Sequence, residues 1–368
     1  MLKPMLGVVA LTLFASQAAL AVTGGGATLP EALYKGSPDS ILPATFSYEG
    51  VGSSAGKRAF LTNDPVLFGA TGSVHYAGSD SVLRNVELLD YLVRFNEEYG
   101  PLIQIPSVVT PVVVPYRKAG TTALNLSSLQ LCDVFSGART TWGQLLGSGD
   151  TTPIRIVYRV DGSGTTELLA RHLNSICPTR FATGPLFANA RLPLNGPLPA
   201  NWTGVSSDAE VRSAINAVDG SIGYAGPEGL PLSDNAKIAR VNGLLPSAAN
   251  VVAAVSTVVP PTTTTTTARA NPLEWVPTFA NPTRGYAIVG YTNFIFSQCY
   301  RDANAASQIR AFLTRHYGSS VNNAATVAHG FVPLVAIWKS AVMNTFVSGN
   351  GENLNINNPN ICTNRGRP

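Results

Sequence analysis

The chain has 368 residues, 45% of them hydrophobic and only 12% charged, with 34 Gly and 26 Pro. That is enough apolar material for a sizeable core, and the length points to two domains. A formal net charge of +4 predicts neither nucleic-acid binding nor adhesion to a membrane surface, and low charge with abundant Gly, Pro, Ser, Thr and Asn is the composition of exported proteins.

The first segment, "MLKPMLGVVALTLFASQAALA", reads as a signal peptide. Lys3 is its basic end, an apolar run extends through Phe14, and Ala19-Leu20-Ala21 closes it with an A-x-A cleavage pattern. The run is too short to span a bilayer comfortably, and no later segment approaches the ~18 apolar residues of a transmembrane helix. The expected mature chain starts near Val22, is soluble, and is periplasmic or secreted. Loss of Lys3 leaves 24 basic and 21 acidic residues, a net charge of +3.

"TFSYEGVGSSAGKRAFLTND" reads as a strand carrying Phe46 and Tyr48, a glycine turn, then a helix start whose backbone N–H groups are left free. "VHYAGSDSVL" is a second strand, ending in a turn at Gly78-Ser79-Asp80. "VVTPVVVPYR", interrupted by Pro111 and Pro115, suits a strand crossing between domains better than a central sheet strand. "RIVYRVDGSGTTELLARHLN" repeats the first pattern, with a strand from Arg155 to Tyr158, a turn from Asp161 to Gly164, and a helix with Leu168, Leu169 and His172 at helical spacing. "SIGYAGPEG" reads as a buried strand and turn near the hinge, not as a site. "VVPPTTTTTTARANP" reads as an extended surface loop. "GYAIVGYTNFIFSQCY" is a β run returning to the first domain, followed by the helical "DANAASQIRAFLTRHYG" and by "VPLVAIWKSAV", whose Trp338 belongs in the core. These units predict an α/β fold with small polar turns at the C-terminal ends of its strands, where open α/β sheets bind ligands. Four cysteines in an exported chain favour two disulfides. The long gap between the second and third favours Cys132–Cys177 and Cys299–Cys362, and no C-x-x-C or clustered His favours a metal instead.

Gly52-Ser53-Ser54-Ala55-Gly56 matches G-x-S-x-G, the nucleophile elbow of serine hydrolases. "GVGSSAGK" also approaches a P-loop, but its first glycine is misplaced and Arg58 stands where Ser or Thr is needed. Both readings meet the same objection, a third reading as an anion-holding turn. Histidines are few: His75, His172, His316 and His329. His172 reads as packing, and His329 is the one late candidate for a triad base. Four turns share a composition of small hydroxyl residues among glycines: "GGGATLP", "GVGSSAGK", "AGSDS" and "YRVDGSGTTE". Glycines let amides approach an anion closely, helix N-termini add partial positive charge, and hydroxyls donate further hydrogen bonds.

Together and in this order, these four motifs resemble the periplasmic phosphate-binding proteins of ABC transporters, and among them the DING proteins. The residues before Gly24 are Ala21-Val22-Thr23, so the namesake tetrapeptide is absent. The resemblance implies a two-lobed α/β periplasmic-binding-protein-like fold of the class II type. Residues 22–112 and 284–368 would form one lobe and residues 113–283 the other, with a hinge of crossing strands and clamshell closure. It implies phosphate ligation by Thr28, Leu29, Ser53, Asp80, Arg159, Ser163, Gly164 and Thr165. Asp161 would pair with Arg159 and orient it. Inorganic phosphate, with arsenate as its mimic, is the implied ligand. An ABC permease or secretion machinery is the implied partner, the chain acts as a monomer, and no cofactor or metal is called for. Asp80 puts a carboxylate among anion ligands, which is sensible only if the anion carries a proton for it to accept. Hydrogen phosphate does and sulfate does not, so Asp80 is the expected selectivity residue. The rival reading is a secreted alkaline-type phosphatase acting on phosphomonoesters, which needs an activated nucleophile or a metal set.

Overall fold

The computed structural model describes residues 22–35 and 39–368; the signal-peptide and cleavage-site expectations fall outside them. The chain begins with three short strands. They are β1 (Gly24–Gly26), β2 (Glu49–Gly50) and β3 (Tyr76–Ser79), with β1 pairing in parallel with both of the others. The expected strand through Phe46 and Tyr48 is shorter than its sequence: only Glu49–Gly50 joins the sheet, while Phe46 makes a single bridge to Val22. Both aromatic rings are buried in the core instead of alternating along a strand. Helix α1 (Ser53–Thr62) follows β2 directly.

Strand β4 (Leu102–Pro111) forms the edge of this first sheet, as its prolines require, since Pro has no N–H to give an outer neighbour. The chain then leaves the sheet: Val113 bridges to Ala225 and the next residues enter β5 (Tyr116–Arg117) of a second sheet. The run "VVTPVVVPYR" thus passes from the first sheet to the second. Strand β6 (Asn125–Leu126) pairs later with β10. Strand β7 (Arg155–Arg159) leads into helix α2 (Gly164–Ile176), and β8 (Thr203–Val205) into helix α3 (Asp208–Ala217). Strand β9 (Ser221–Gly223) completes a sheet of order β5-β9-β7-β8, and β10 (Arg240–Val241) pairs with β6. Strand β11 (Val289–Ser297) returns to the first sheet, antiparallel between β3 and β4, giving the order β2-β1-β3-β11-β4. Helix α4 (Ala303–Tyr317) packs Phe312 against Phe294 of β11.

The core runs through both sheets. Tyr34 stacks on Phe294 with ring centroids 4.8 Å apart, and Trp275, Trp338 and Phe346 form an aromatic cluster. Thr262–Thr267 departs from the expected extended loop. A 3₁₀ turn spans Pro261–Thr263 and a short helix Thr266–Ala270, whose N-cap Thr265 accepts from the Ala268 N–H. Arg269 closes the segment against Glu352 and the Thr264 carbonyl. A threonine hydroxyl at an N-cap satisfies a free helix amide, which is why a Thr tract can start a helix. The disulfides are Cys132–Cys177 and Cys299–Cys362. The first ties the helix Ser128–Ser136 to the C-terminal end of α2. The second pins the C-terminal tail, where Arg367 is buried over the rings of Phe60 and Tyr99.

Candidate functional site

The N-termini of α1, α2 and α3 meet in one place, between the first and second sheets. First-turn amides have no intrahelical acceptor, so each helix directs free N–H groups and partial positive charge into the junction. Gly52, at φ 88°, caps α1 with no side chain of its own. A Cβ there would strike the Asp161 carboxylate, so glycine is what lets the first motif close on the fourth. The Ser54 N–H donates to the Gly162 carbonyl at 2.9 Å, a direct backbone link between the two motifs.

Ser53 is fully buried at the first position of α1, and its Oγ accepts from the Asp80 N–H at 3.1 Å. Ser163 caps α2, its Oγ accepting from the Thr166 N–H at 3.2 Å. A hydroxyl that accepts in this way keeps its one proton to donate. Gly164 packs against Ser53 and Asp80; a Cβ on it would lie 2.5 Å from Ser53 Oγ and 2.6 Å from Asp80 Cβ. Thr165 is fully buried and Leu29 nearly so.

Arg159 ends β7 and is 1% exposed. Its Nε and Nη2 donate to the two oxygens of Asp161, both at 2.7 Å. Its Nη1 donates to Asp208. Burial alone would weaken the guanidinium's hold on its proton, but Asp208 and Asp161 outweigh it and hold the side chain charged. Of the five N–H groups of an arginine, Asp161 takes two and Asp208 one, which leaves two.

Asp80 follows β3 and is 2% exposed. Its Oδ1 is buried with no hydrogen-bond partner in the protein. Burial, reinforced by the Asp208 carboxylate, pushes its pKa up to about 8. An unpaired buried acceptor is costly, and Asp80 lies beside Ser53 and Gly164.

All nine residues singled out from the sequence lie in or beside this junction. Asp208 and Gly226 were not among them. Asp208 is the first residue of α3, and its Oδ2 accepts from Thr28 Oγ1 and Thr165 Oγ1, both at 3.2 Å, as well as from Arg159. Its Oδ1 accepts from the Gly226 N–H at 2.6 Å, so the "SIGYAGPEG" stretch contributes to the site after all. In the sequence, Asp208 after Ser207 is an ordinary capped helix start, and nothing local distinguishes it. The histidines are engaged elsewhere. His172 bonds Ser128 and the Ala280 carbonyl, His316 the Ser107 carbonyl and Asn322, and His329 Glu228 and Asp39, while His75 Nδ1 accepts from the Thr23 N–H.

The family described as "PBP superfamily domain" matches residues 33–314. A Pseudomonas aeruginosa protein (strain PAO1) named "Alkaline phosphatase L" is 59% identical over 353 residues, covering 96% of this chain and 95% of that one. The solved structure of a phosphate binding protein from Stenotrophomonas maltophilia superposes with a TM-score of 0.87 at 44% identity, covering 95% of this chain and 99% of its own. That of PfluDING, described as a high affinity periplasmic phosphate-binding protein bound with phosphate, gives 0.85 at 43% identity, again covering 95% and 99%. The chain belongs to the PBP superfamily, and within it to the DING group.

Proposed function

We propose that this chain is an exported solute-binding protein that holds inorganic phosphate, as hydrogen phosphate, with high affinity for uptake or scavenging. Thr28, Leu29, Ser53, Ser163, Gly164 and Thr165 supply hydroxyl and amide donors, Arg159 the charged donor, and Asp161 its orientation. Asp80 accepts the ligand's proton, so arsenate binds as a mimic and sulfate is rejected. The observation that carries this reading is the unpartnered, buried Oδ1 of Asp80 beside helix N-termini and a buried guanidinium. Donors alone would serve any oxyanion; a buried acceptor among them serves one that still carries a proton.

The lobes in this reading are residues 22–112 with 284–368, and residues 113–283. Two short segments, around Val113 and before Val289, form the hinge. Cleavage near Ala21 delivers the protein to the periplasm or the exterior as a monomer. The resemblance of its four turns to the phosphate-binding proteins of ABC transporters makes a permease the natural partner for uptake, with secretion machinery the partner for export.

The name of the Pseudomonas relative keeps hydrolysis of phosphomonoesters in view. Hydrolysis at Ser54 requires a base, and the ring nitrogens of His172, His316 and His329 are committed to other partners. Calorimetry with phosphate, arsenate and sulfate, alongside a phosphomonoester turnover assay on wild type and Ser54→Ala, tests both readings. Tight phosphate binding without turnover is expected. Arg159→Ala should lower phosphate affinity at least ~100-fold, since charge-assisted hydrogen bonds are worth roughly 1.5–3 kcal/mol each and two N–H groups remain to the ligand. Turnover that vanishes in Ser54→Ala, or unchanged phosphate affinity in Arg159→Ala, would overturn the reading.

A further inference from the structure

The donors assigned to phosphate are also the donors of Asp208. Thr28 and Thr165 each have a single hydroxyl proton, and both are directed at Asp208 Oδ2. Arg159 Nη1 gives the same oxygen a third hydrogen bond. The Gly226 N–H completes the set on Oδ1. The carboxylate is 2% exposed, so water does little to screen it. It thus collects an arginine, two hydroxyls and an amide, the kinds of group that a tetrahedral oxyanion would collect at the same spot. Thr28 lies between β1 and β2 of the first sheet, whereas Arg159, Thr165 and Asp208 belong to the second sheet and its helices. The Thr28 bond therefore also ties one side of the junction to the other.

We propose that Asp208 is a resident carboxylate that competes with bound phosphate for Thr28, Thr165 and Arg159 and so sets the affinity of the site. This rests on the phosphate reading above. Two effects act in the same direction. Each hydroxyl proton given to Asp208 is withheld from the ligand, and must be turned away from one oxygen to serve another. The negative charge of Asp208 also opposes an incoming anion in a water-poor junction, where Coulomb energies exceed those in bulk water several-fold. Asp161 differs. It holds the guanidinium from the side by two parallel bonds and takes no hydroxyl from the ligand set. Removing Asp161 loosens the arginine; removing the charge of Asp208 frees donors.

A residue that merely supports the site weakens binding when it is lost, whereas a competitor strengthens it. Asp208→Asn keeps the shape and removes the charge. Asp208→Ser keeps a helix-starting residue at that position and removes both charge and reach. Phosphate titration calorimetry on the full mature chain, with thermal unfolding of each variant, decides between them. Asp208→Asn should bind phosphate about 10-fold more tightly than wild type, from the loss of a like charge held within a few ångströms, and Asp208→Ser should bind more tightly as well. Wild type that binds phosphate while both variants bind it equally or more weakly would overturn this proposal and leave the phosphate reading standing. Loss of folding in both variants would also overturn it, because Asp208 would then be a structural tie. Wild type that does not bind phosphate would remove the phosphate reading and this one together.

Discussion

Asp80 is the residue on which the chemistry turns. Its carboxyl is enclosed beside Ser53, Asp208 and Arg159, and burial together with the Asp208 charge raises its pKa from 3.8 to about 8. In the unfolded chain the group ionises in the ordinary range, so between about pH 4 and pH 8 the folded protein holds a proton that the unfolded one has released. Its contribution to stability is therefore fully present below the ordinary carboxylate range and is lost as pH rises toward 8. In protein dialysed free of phosphate, the melting temperature of wild type should fall across this window relative to Asp80→Asn, whose amide does not titrate. Above this window Asp80 is ionised and can only accept, so there the same substitution should narrow the preference for phosphate over sulfate, because an amide, unlike a carboxylate, can donate to a fully deprotonated oxyanion. Parallel melting curves across the window would contradict the protonated state of Asp80, and an undiminished preference would contradict its role in selectivity.

At the scale of elements, the site is a meeting of helix N-termini whose closeness depends on residues without side chains. Gly164 is the sharpest case. It opens α2 directly against Ser53 and Asp80, and the backbone of Ser81 lies 2.7 Å from where a Cβ would sit. A methyl group there has nowhere to go unless α1 and α2 separate. Overpacking of this kind typically costs 1–3 kcal/mol. Gly164→Ala should lose stability on that order and should lose phosphate affinity at least as strongly, since the widened gap draws the Ser53 and Thr165 donors apart. Urea unfolding and calorimetry on the same variant measure both. A variant that is destabilised but binds as well as wild type would mean that the α2 N-terminus is not part of the anion site.

Over the whole molecule, two disulfides staple regions that are distant from the anion donors. Cys132–Cys177 closes a separation of 45 residues beneath α2, and Cys299–Cys362 one of 63 residues across the returning β11 and the tail. Restriction of the unfolded chain by such loops is worth roughly 2–4 kcal/mol each. Reduction should therefore lower the melting temperature by several degrees or more. It should change phosphate affinity little at low temperature, where the fold survives and the donors keep their places. Breaking Cys299–Cys362 alone, by Cys299→Ser with Cys362→Ser, should also release the tail and expose Arg367, which is now buried against Phe60 and Tyr99. Limited proteolysis reads the tail; a tail still protected in that variant would show that Arg367 packing suffices without the bond.

By itself the sequence determined what local chemistry can encode. Strand–glycine turn–helix patterns placed α1 and α2, since free amides and small residues at a helix start have a local signature. Pro111 and Pro115 marked the crossing out of the first sheet, because a residue without an N–H cannot sit in a sheet interior. Cysteine order indicated the two pairings, and the hydroxyl-rich turns indicated an oxyanion. Tertiary structure decided what depends on residues far apart in the chain. Phe46 and Tyr48 went to the core and left a two-residue strand, because packing outweighed local extended preference. The threonine tract became two helical turns once Arg269 met Glu352 and Thr265 found an amide to cap. Asp208 has the clearest reason of all. It lies 180 positions from Thr28 and 49 from Arg159 and reads locally as a helix start. Only when the chain folds do those partners surround it, and only then does an ordinary N-terminal aspartate become a buried charge competing for the donors of the site.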